Sequence, residues 1–356
     1  MMAAIQRVLD SFRGFGDYAL SIPSLDGAFR PDDALEAAEA LLQVKAPDNL
    51  TVAGDILHFS SGGDLIRLCP DGGSKTLWQG APVTALAGAS DGRLAVARSA
   101  APVTIINGDG TGTVLSFPAA GTGDVTAMTF LPDGGLAVTI GAQGRRAADW
   151  RWDFMRRGRN GSVWIVDADG SARQLSKDLA YPSGVVVDGS GGLVVSTAWD
   201  AALVRLGPDG QDRPLLSNLP GYPARIVSEP SGGYWLAIFA PRNQLVEFVL
   251  REDLFAKRMM AEIEPEYWIC PALAPAESPL EVMQNGAQKI GGSIKPWAPS
   301  LSYGMVAKLD QNFQPERSFH SRANGKRHGI TSVAIHRGEL LASSAGGNVI
   351  VRLAAA

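Results

Sequence analysis

Short apolar segments alternate with polar, glycine-containing turns along most of the chain. The clearest segments lie at residues 56–59, 94–97, 136–140, 193–196, 234–238 and 340–343. Between them, Asp-Gly or Gly-Gly pairs recur at 62–63, 71–72, 91–92, 133–134, 169–170, 191–192, 209–210, 232–233 and 346–347. Because glycine adopts a positive φ at no steric cost, such pairs are typical of tight hairpins. The pattern predicts an all-β chain of short antiparallel strands.

These strands form a degenerate repeat of three recognisable strands and their turns. Third strands of the unit lie at 64–68, 162–167, 202–206 and 348–353. Units begin near Leu50, Val83, Val125, Pro182, Pro223 and Ile330. Most of these starts are separated by about 35–57 residues, which is the range in which four-stranded propeller blades repeat. We therefore predict a six-bladed β-propeller over residues 50–356.

The fifth interval is longer than the others because it contains an insertion, residues 251–301. Apolar residues at helical spacing over 252–264, followed by Pro265, predict a helix and then an ordered loop. The insertion either covers a blade edge or closes one mouth of the propeller as a lid. Tyr267 and Trp268, early in the loop, are candidate substrate contacts in the second case.

Residues 1–49 are predicted to form an extension that packs on the propeller. Residues 32–42 favour a helix, and the last blade shows only three convincing strands. We expect the segment around 18–22 to supply the fourth strand, because such closure removes a free sheet edge. The extension lacks the continuous apolar stretch of a signal peptide, and no apolar run approaches the about 20 residues of a membrane span. The expectation is a cytoplasmic protein.

Composition and charge exclude several classes of function. Hydrophobic residues make up 46% of the chain and the net charge is −4, which fits a folded protein with no basic surface for nucleic acid or anionic membranes. The chain has only two cysteines, Cys69 and Cys270, which favours reduced thiols over a disulfide framework. The sequence contains no CxxC or HExxH motif and no phosphate-binding glycine loop.

Three stretches of the chain resemble the strictosidine synthase-like family of propellers. They are Leu-Ala-Tyr-Pro-Ser-Gly-Val at 179–185, Leu-Pro-Gly-Tyr-Pro-Ala-Arg-Ile at 219–226 with Gly-Gly-Tyr-Trp at 232–235, and the last blade at 330–353. Gluconolactonase and paraoxonase-type propellers are similar more distantly. The resemblance implies a six-bladed propeller that acts on a small molecule at the mouth of its channel.

The metal-binding members that the chain resembles hold a calcium-type ion on the central axis with Glu, Asn and Asp side chains. Here Ser183 stands at the Asn position and Ala224 and Arg225 stand at a further ligand pair, so that only Asp48 and Asn49 keep ligand character. A guanidinium at the axis would repel a dication. The resemblance alone would imply calcium, but these substitutions lead us to assign no metal and no other cofactor.

The synthases of the family use a glutamate at the start of the innermost strand of the last blade. This chain has Gly-Ile-Thr there, at 329–331. Neither the condensation reaction nor metal-assisted lactone hydrolysis is therefore carried over residue by residue.

The first residues of the inner strands are expected to line the channel. They are Asp48, Asn49, Thr126, Ser183, Arg225, His328 and Thr331. Arg225, beside Tyr222, either clamps a carboxylate or phosphate or bridges the blades structurally. His328, in the polar loop 320–329, is either an acid/base or an ordinary loop residue. The Trp-containing loop 149–153 is either a binding loop at the mouth or a salt-bridged loop between blades.

The sequence predicts a small-molecule enzyme with a metal-free channel site. Its reaction would be ester or lactone hydrolysis, or amine–carbonyl condensation or cleavage, on an anionic substrate. The predicted catalytic set is His328 as acid/base, Arg225 as anion clamp, and Asp48 and Ser183 as orienting groups. The predicted substrate contacts are Asn49, Thr126, Thr331, Tyr222, Tyr267 and Trp268. The alternative is a non-catalytic propeller that binds a metabolite or a protein partner, which the missing glutamate and metal ligands favour.

Overall fold

A computed structural model describes residues 22–115, 117, 122–207, 211–275 and 300–354. These residues form six four-stranded antiparallel sheets. The first strand of each sheet contacts the first strands of two neighbouring sheets, so that the sheets close into a ring around a central channel. The predicted six-bladed propeller is confirmed.

The strands are numbered in chain order. Their bounds are β1 Glu39–Gln43, β2 Pro47–Ala53, β3 Ile56–Ser61, β4 Asp64–Leu68, β5 Ser74–Trp78, β6 Val83–Gly88, β7 Leu94–Arg98, β8 Val103–Ile106, β9 Gly112–Leu115, β10 Val125–Phe130, β11 Leu136–Ile140, β12 Gly161–Val166, β13 Ala172–Leu179, β14 Pro182–Val187, β15 Leu193–Thr197, β16 Ala202–Arg205, β17 Arg213–Leu216, β18 Gly221–Ser228, β19 Tyr234–Pro241, β20 Met305–Leu309, β21 Pro315–His320, β22 Ile330–His336, β23 Glu339–Ser344 and β24 Val349–Leu353. Blades 1 to 5 are β2–β5, β6–β9, β10–β13, β14–β17 and β18–β21, and blade 6 is β22–β24 with β1 as its outermost strand.

The hairpin turns follow from the Asp-Gly pairs. At Asp91-Gly92 the glycine has φ +89°, and the carboxylate of Asp91 accepts a hydrogen bond from the amide of Arg93 at 3.0 Å. Glycine reaches this left-handed conformation without strain, and the aspartate side chain stabilises the turn. Asp-Gly therefore marks a strand reversal wherever it separates two apolar runs.

The core lies between adjacent blades. The side chains of Leu57, Phe59 and Ile66 in blade 1 pack against Leu341 and Ile350 in blade 6. Neighbouring blades cover both faces of the inner strands of each sheet in this way. For this reason the sequences of these strands are nearly continuous apolar runs. Burial of apolar surface contributes a free energy of roughly 25 cal/mol per Å² of buried area, and this contribution stabilises the ring.

Ring closure differs from the prediction. The strand that completes blade 6 is β1, which pairs antiparallel with β24 from Glu39 opposite Arg352 to Gln43 opposite Val349. The prediction that the segment around 18–22 supplies this strand is therefore wrong. Residues 18–21 themselves lie outside the described part of the chain. The helix predicted over 32–42 is reduced to one turn, Ala34–Ala37, because pairing with the open edge of β24 outweighs the helical propensity of the following residues.

Two insertions extend the ring at the end where the inner strands begin. Between β11 and β12 lie a 3₁₀ turn, Ala147–Asp149, and a helix, Trp150–Met155. Between β19 and β20 lie the helices Gln244–Val249 and Asp253–Glu262 and a 3₁₀ turn, Pro265–Tyr267. The helix predicted over 252–264 is present, whereas the helix before it was not predicted. Residues 276–299 of the predicted loop lie outside the described part.

The 149–153 segment, predicted as a loop, is thus the start of a short helix.

Among the described residues, no helix has both the length and the apolar character needed to cross a membrane. Cys69 and Cys270 are free thiols.

Candidate functional site

A cavity of about 300 Å³ opens at the end of the channel where the inner strands begin. Its polar lining comes from Asp48, Thr84, Ser99, Asp124, Thr126, Ser183, Arg225 and Thr331. A second cavity of about 170 Å³ lies further along the same strands and is lined by residues such as Thr129, Val227 and Val333. Arg225 lines both cavities. Its side chain therefore forms the floor that separates them.

The guanidinium of Arg225 is bonded to four different blades. One terminal nitrogen, Nη1, donates to Oδ1 of Asp48 at 2.9 Å and to the carbonyl of Thr331 at 3.4 Å. The other, Nη2, donates to the carbonyls of Thr84 at 3.0 Å and Thr126 at 3.2 Å. Arg225 belongs to blade 5, and its partners belong to blades 1, 6, 2 and 3. We call Arg225 and these four acceptors the hub.

Local irregularity in β18 aims Arg225 at the channel. The register of β18 against β19 shifts between Tyr222 and Pro223 and again between Pro223 and Ile226. Such bulges turn a side chain away from the ordinary alternation of a strand. The Arg225 side chain is only 16% exposed, and its Nε is buried without a partner among the described residues.

The carboxylate of Asp48 faces the cavity with one oxygen engaged. Oδ1 accepts hydrogen bonds from Arg225 and from the amide of Asn49 at 2.7 Å. Within the described part of the chain, no donor is bonded to Oδ2, and the side chain is 31% exposed. Asp48 is thus held in orientation through one oxygen and presents the other to the cavity.

Polar side chains next to the hub join three pairs of neighbouring blades. Asn49 donates to Oγ of Ser60 at 2.8 Å and to the carbonyl of Val83 in blade 2 at 3.5 Å. In the same way, Thr126 donates to the carbonyl of Pro182 in blade 4. Ser183 donates to the carbonyl of Pro223 in blade 5 at 2.8 Å. We call Asn49, Thr126 and Ser183 the interblade belt. Its donors serve the protein and are not directed at a ligand.

The opposite side of the cavity is aromatic. We call Trp150, Tyr181, Trp199 and Phe239 the aromatic wall, since all four line the cavity. Tyr181 and Trp199 stack with ring centroids 4.4 Å apart, and Trp150 meets the edge of Phe239 at 5.8 Å. Burial and the nearby carboxylates, Asp153 first, raise the pKa of the Tyr181 phenol well above its usual range, although Arg225 opposes this. The phenol is therefore uncharged at neutral pH.

Two further carboxylates, Asp124 in the cavity lining and Asp153 behind it, hold the surroundings of the site in place. Asp124 accepts from Oγ of Ser99 at 2.7 Å and from the amides of Ala100 and Ala147 at 3.1 and 2.8 Å, and pairs with Arg146 at 3.3 Å. It joins blade 2 to the helical insertion of blade 3.

Asp153, at the back of the aromatic wall, accepts from Nε1 of Trp199 at 2.7 Å. Burial raises its pKa, and the Trp199 hydrogen bond and the charge of Arg145 oppose that rise. The carboxylate therefore fixes the orientation of Trp199 at an electrostatic cost.

A divalent ion on the axis does not fit the residues of this hub. Asp48 Oδ1 and the three carbonyl oxygens that point to the axis already accept from a guanidinium, and the positive charge of Arg225 would repel the ion. The described residues also contain no group of three or more His, Cys, Asp or Glu side chains arranged to hold a metal.

The structure brings together five of the predicted channel residues: Asp48, Thr126, Ser183, Arg225 and Thr331 all line the cavity. The hydrogen bonds of Arg225 correct its predicted role as an anion clamp. Both terminal nitrogens are bonded to two protein acceptors each, so that they hold no free N–H for a ligand. Arg225 bridges the blades, which was the structural alternative.

His328 does not line the cavity, which corrects its expected position in the channel. Its ring is fully buried, with Nδ1 2.7 Å from Oγ of Ser302 and Nε2 2.7 Å from the carbonyl of Arg322. The carbonyl only accepts, so Nε2 carries the proton and Nδ1 accepts from Ser302. Burial lowers the pKa of the imidazole. His328 is a neutral, hydrogen-bonded residue of the loop and has no contact with the cavity.

The remaining predicted contacts also lie outside the cavity lining. Asn49 is 1% exposed and belongs to the interblade belt. Tyr222 is buried and stacks behind Phe239 at 5.8 Å. Trp268 is buried with its Nε1 bonded to the carbonyl of Ile263 at 2.9 Å, and Tyr267 lies in the adjacent 3₁₀ turn. Trp268 and Tyr267 therefore belong to the packing of the insertion and not to the cavity lining.

Trp150 lines the cavity, which agrees with the binding-loop alternative for residues 149–153, whereas sequence reasoning missed Tyr181, Trp199 and Phe239 of the wall and also Thr84, Ser99 and Asp124. A signal for Thr84 was present, because Val83-Thr84 opens blade 2 as Val125-Thr126 opens blade 3 and Ile330-Thr331 opens blade 6. The other three wall residues carried no comparable signal, since they come from separate parts of the chain.

The chain matches no protein-family model, and no curated protein matches it. Many solved structures match its fold, including the following three. A gluconolactonase from Xanthomonas campestris has a TM-score of 0.57 and 16% identity over 88% of each chain. Regucalcin, a calcium-binding protein from Agrobacterium tumefaciens, has a TM-score of 0.57 and 13% identity over 89% of this chain and 93% of that one. A luciferin-regenerating enzyme has a TM-score of 0.55 and 13% identity over 89% and 92%. The chain is thus a six-bladed propeller with structural neighbours among the gluconolactonases and regucalcins.

Proposed function

We propose that this propeller is a metal-independent hydrolase of small, uncharged esters or lactones, with Asp48 as general base in the 300 Å³ cavity. The observation that carries the proposal is the free Oδ2 of Asp48, which faces a concave site with an aromatic wall. The gluconolactonase among the structural neighbours supports the choice of hydrolysis at the level of fold. The resemblance to strictosidine synthase-like proteins supports a small-molecule site at this mouth.

Asp48 meets the geometric requirement for a base. The bonds to Arg225 and to the amide of Asn49 fix its carboxylate through Oδ1, so Oδ2 can accept a proton from a water held against the substrate. The guanidinium balances the carboxylate charge without occupying that oxygen. Hydrolysis then requires attack of the activated water on the carbonyl carbon and cleavage of the bond between that carbon and the alkoxy oxygen, which takes up the proton that Asp48 accepted from the water.

The wall and the floor indicate an uncharged, ring-containing substrate. Trp150, Tyr181 and Trp199 offer ring faces and edges to which a planar or cyclic group can pack. An anionic group would approach the carboxylate of Asp48 and find the donors of Arg225 occupied. We therefore no longer favour the anionic substrate expected from the sequence. Amine–carbonyl condensation is also less favoured, because the glutamate that the family uses is missing at 329–331.

Ligand binding without catalysis is the second candidate, and one observation favours it. The terminal N–H donors of Arg225 and the hydroxyl donors of Thr126 and Ser183 are all bonded within the protein. Ester hydrolysis gains most from a donor aimed at the developing oxyanion. A propeller that has lost such donors would retain a binding cavity alone.

Product release from a panel of neutral aryl esters and γ- and δ-lactones tests the proposal. The assay uses the full chain in the presence of EDTA, and ligand-induced thermal shifts are recorded in parallel. We expect turnover of at least one ring-containing member, and Asp48→Asn should lower kcat/KM by about 10²-fold or more, the usual contribution of a general base. Asp55→Asn, at an exposed turn of the same blade, is the matched control and should leave it unchanged.

Either of two outcomes overturns the hydrolase. One is turnover that survives Asp48→Asn or that EDTA abolishes. The other is a set of thermal shifts without product from any member, which establishes the binding protein instead.

A further inference from the structure

The axis of the ring is occupied by a side chain of the protein itself. Arg225, on blade 5, is bonded to Asp48 on blade 1 and to main-chain carbonyls on blades 2, 3 and 6. A side chain that reaches four other blades must lie close to their common axis. We propose that Arg225 is a built-in hub cation that takes the structural place of a bound divalent ion, and that its removal converts the hub into a cation site.

The acceptors around Arg225 form the kind of set that binds a hard cation. Three are carbonyl oxygens, of Thr84, Thr126 and Thr331, and the fourth is a carboxylate oxygen of Asp48. Calcium prefers such oxygens from carboxylates and backbone carbonyls. In this chain the positive charge is the guanidinium of Arg225, and this planar group donates to all four acceptors at once.

Without a cation these oxygens would destabilise the ring. Carbonyls that converge on one point carry partial negative charge, and a buried carbonyl without a donor costs roughly 1–3 kcal/mol. Arg225 supplies donors to all three, and it also pairs with the Asp48 carboxylate. The hub therefore joins the blades electrostatically as well as through their apolar faces.

The remaining blade is tied to the same segment. In blade 4, Ser183 donates to the carbonyl of Pro223 at 2.8 Å and Ser196 to the carbonyl of Ala224 at 2.6 Å. Residues 223–225 are thus bonded to every other blade of the ring. A structural role as a common anchor explains why Arg225 retains no terminal N–H for a ligand.

Thermal unfolding of the full chain in EDTA, millimolar calcium or millimolar guanidinium chloride tests this inference. We expect the wild-type Tm to be the same in all three. Arg225→Ala should unfold at a Tm several degrees lower, and both calcium and guanidinium should raise it. Calorimetric titration of that variant should show one calcium site, and the wild type should show none.

Arg242→Ala is the matched control. Arg242 is 15% exposed and pairs with Glu247, so the loss of a buried arginine is similar, but it lies away from the axis. Its variant should lose Tm without recovery in either cation. A wild-type Tm that falls in EDTA or rises in calcium contradicts the proposal, as does an Arg225→Ala protein that neither cation stabilises.

A second pair of variants keeps the test decisive if Arg225→Ala does not fold. Arg225→Lys and Arg225→Met have similar volume and differ in charge. The lysine variant should have the higher Tm, because an ammonium still supplies charge and donors to part of the hub. Equal Tm values would mean that Arg225 serves only by packing and would overturn the inference.

Discussion

The hub and the aromatic wall border the same cavity, yet they are built on opposite principles. At the hub, charged and polar groups are compensated within the protein: Arg225 is bonded to Asp48 and to three carbonyls. At the wall, large rings such as Trp150 and Phe239 pack edge to face and turn apolar surface towards the cavity. The comparison indicates a division of work, in which the hub holds the ring together and the wall receives the ligand.

Two carboxylates show the same difference. Asp48 has a guanidinium at 2.9 Å, and the free oxygen faces an open cavity. Asp153 is buried behind Trp199, with one hydrogen bond from its indole and a raised pKa. The charge of the Asp48 carboxylate is balanced by Arg225, whereas the desolvation cost of the Asp153 carboxylate is only partly offset by the Trp199 hydrogen bond and the charge of Arg145.

The joint between blade 2 and the insertion that carries Trp150 of the wall gives the largest expected effect. Asp124 is buried. It accepts hydrogen bonds from Ser99 and Ala100 of blade 2 and from Ala147, just before the helix that carries Trp150. Asp124→Ala leaves these donors unsatisfied, so we expect the free energy of unfolding in urea to fall by about 3 kcal/mol. Asp133→Asn, in an exposed turn of blade 3, is the control. A loss no larger than that of this control would mean that Asp124 does not hold the insertion against blade 2.

A wall substitution should affect binding more than folding. Trp150 is half-buried and lines the cavity, so Trp150→Ala removes ring contacts from a ligand and opens part of the wall. We expect about a tenfold weaker Kd for any ring-containing ligand found in the ester and lactone panel, in line with the energy of an aromatic contact. Titration by calorimetry measures it. An unchanged Kd combined with a large stability loss would reverse the proposed division of work.

The smallest effect concerns Asp153 and has a defined pH dependence. Its folded pKa is raised, so the native state holds the proton more firmly than the unfolded chain, and the stability that this contributes is present below the unfolded pKa and lost as pH rises through the folded pKa. Asp153→Asn does not titrate and still accepts from Trp199. Relative to the wild type, this variant should gain stability between acid and neutral pH in urea unfolding. A relative loss of stability over that range would contradict the assigned cause.

Much of the ring could be predicted from local pattern. The predicted starts at Val83, Val125, Pro182 and Ile330 coincide with the first residues of β6, β10, β14 and β22. Apolar runs and glycine turns are local signals, so they survive without knowledge of the fold. Closure by β1 was missed because pairing with β24 overrides the local helical pattern of 32–42.

The site was less predictable because its contacts are distant in sequence. Arg225 and Asp48 are 177 residues apart, and the sequence places both in the channel without showing that they bond to each other. Trp199 and Phe239 become a wall only when their blades meet the helix that carries Trp150. His328 was expected in the channel from its position before β22, but its ring turns into the loop and is bonded there to Ser302.

The central claim, that the hub cation is Arg225 itself, is tested most directly by a crystal structure grown in calcium. X-ray data collected where calcium scatters anomalously identify the occupant of the axis. We predict density for the guanidinium between Asp48 and the three carbonyls, with no anomalous peak at the hub. A calcium peak coordinated by Asp48, with the Arg225 side chain displaced from the axis, would contradict the account.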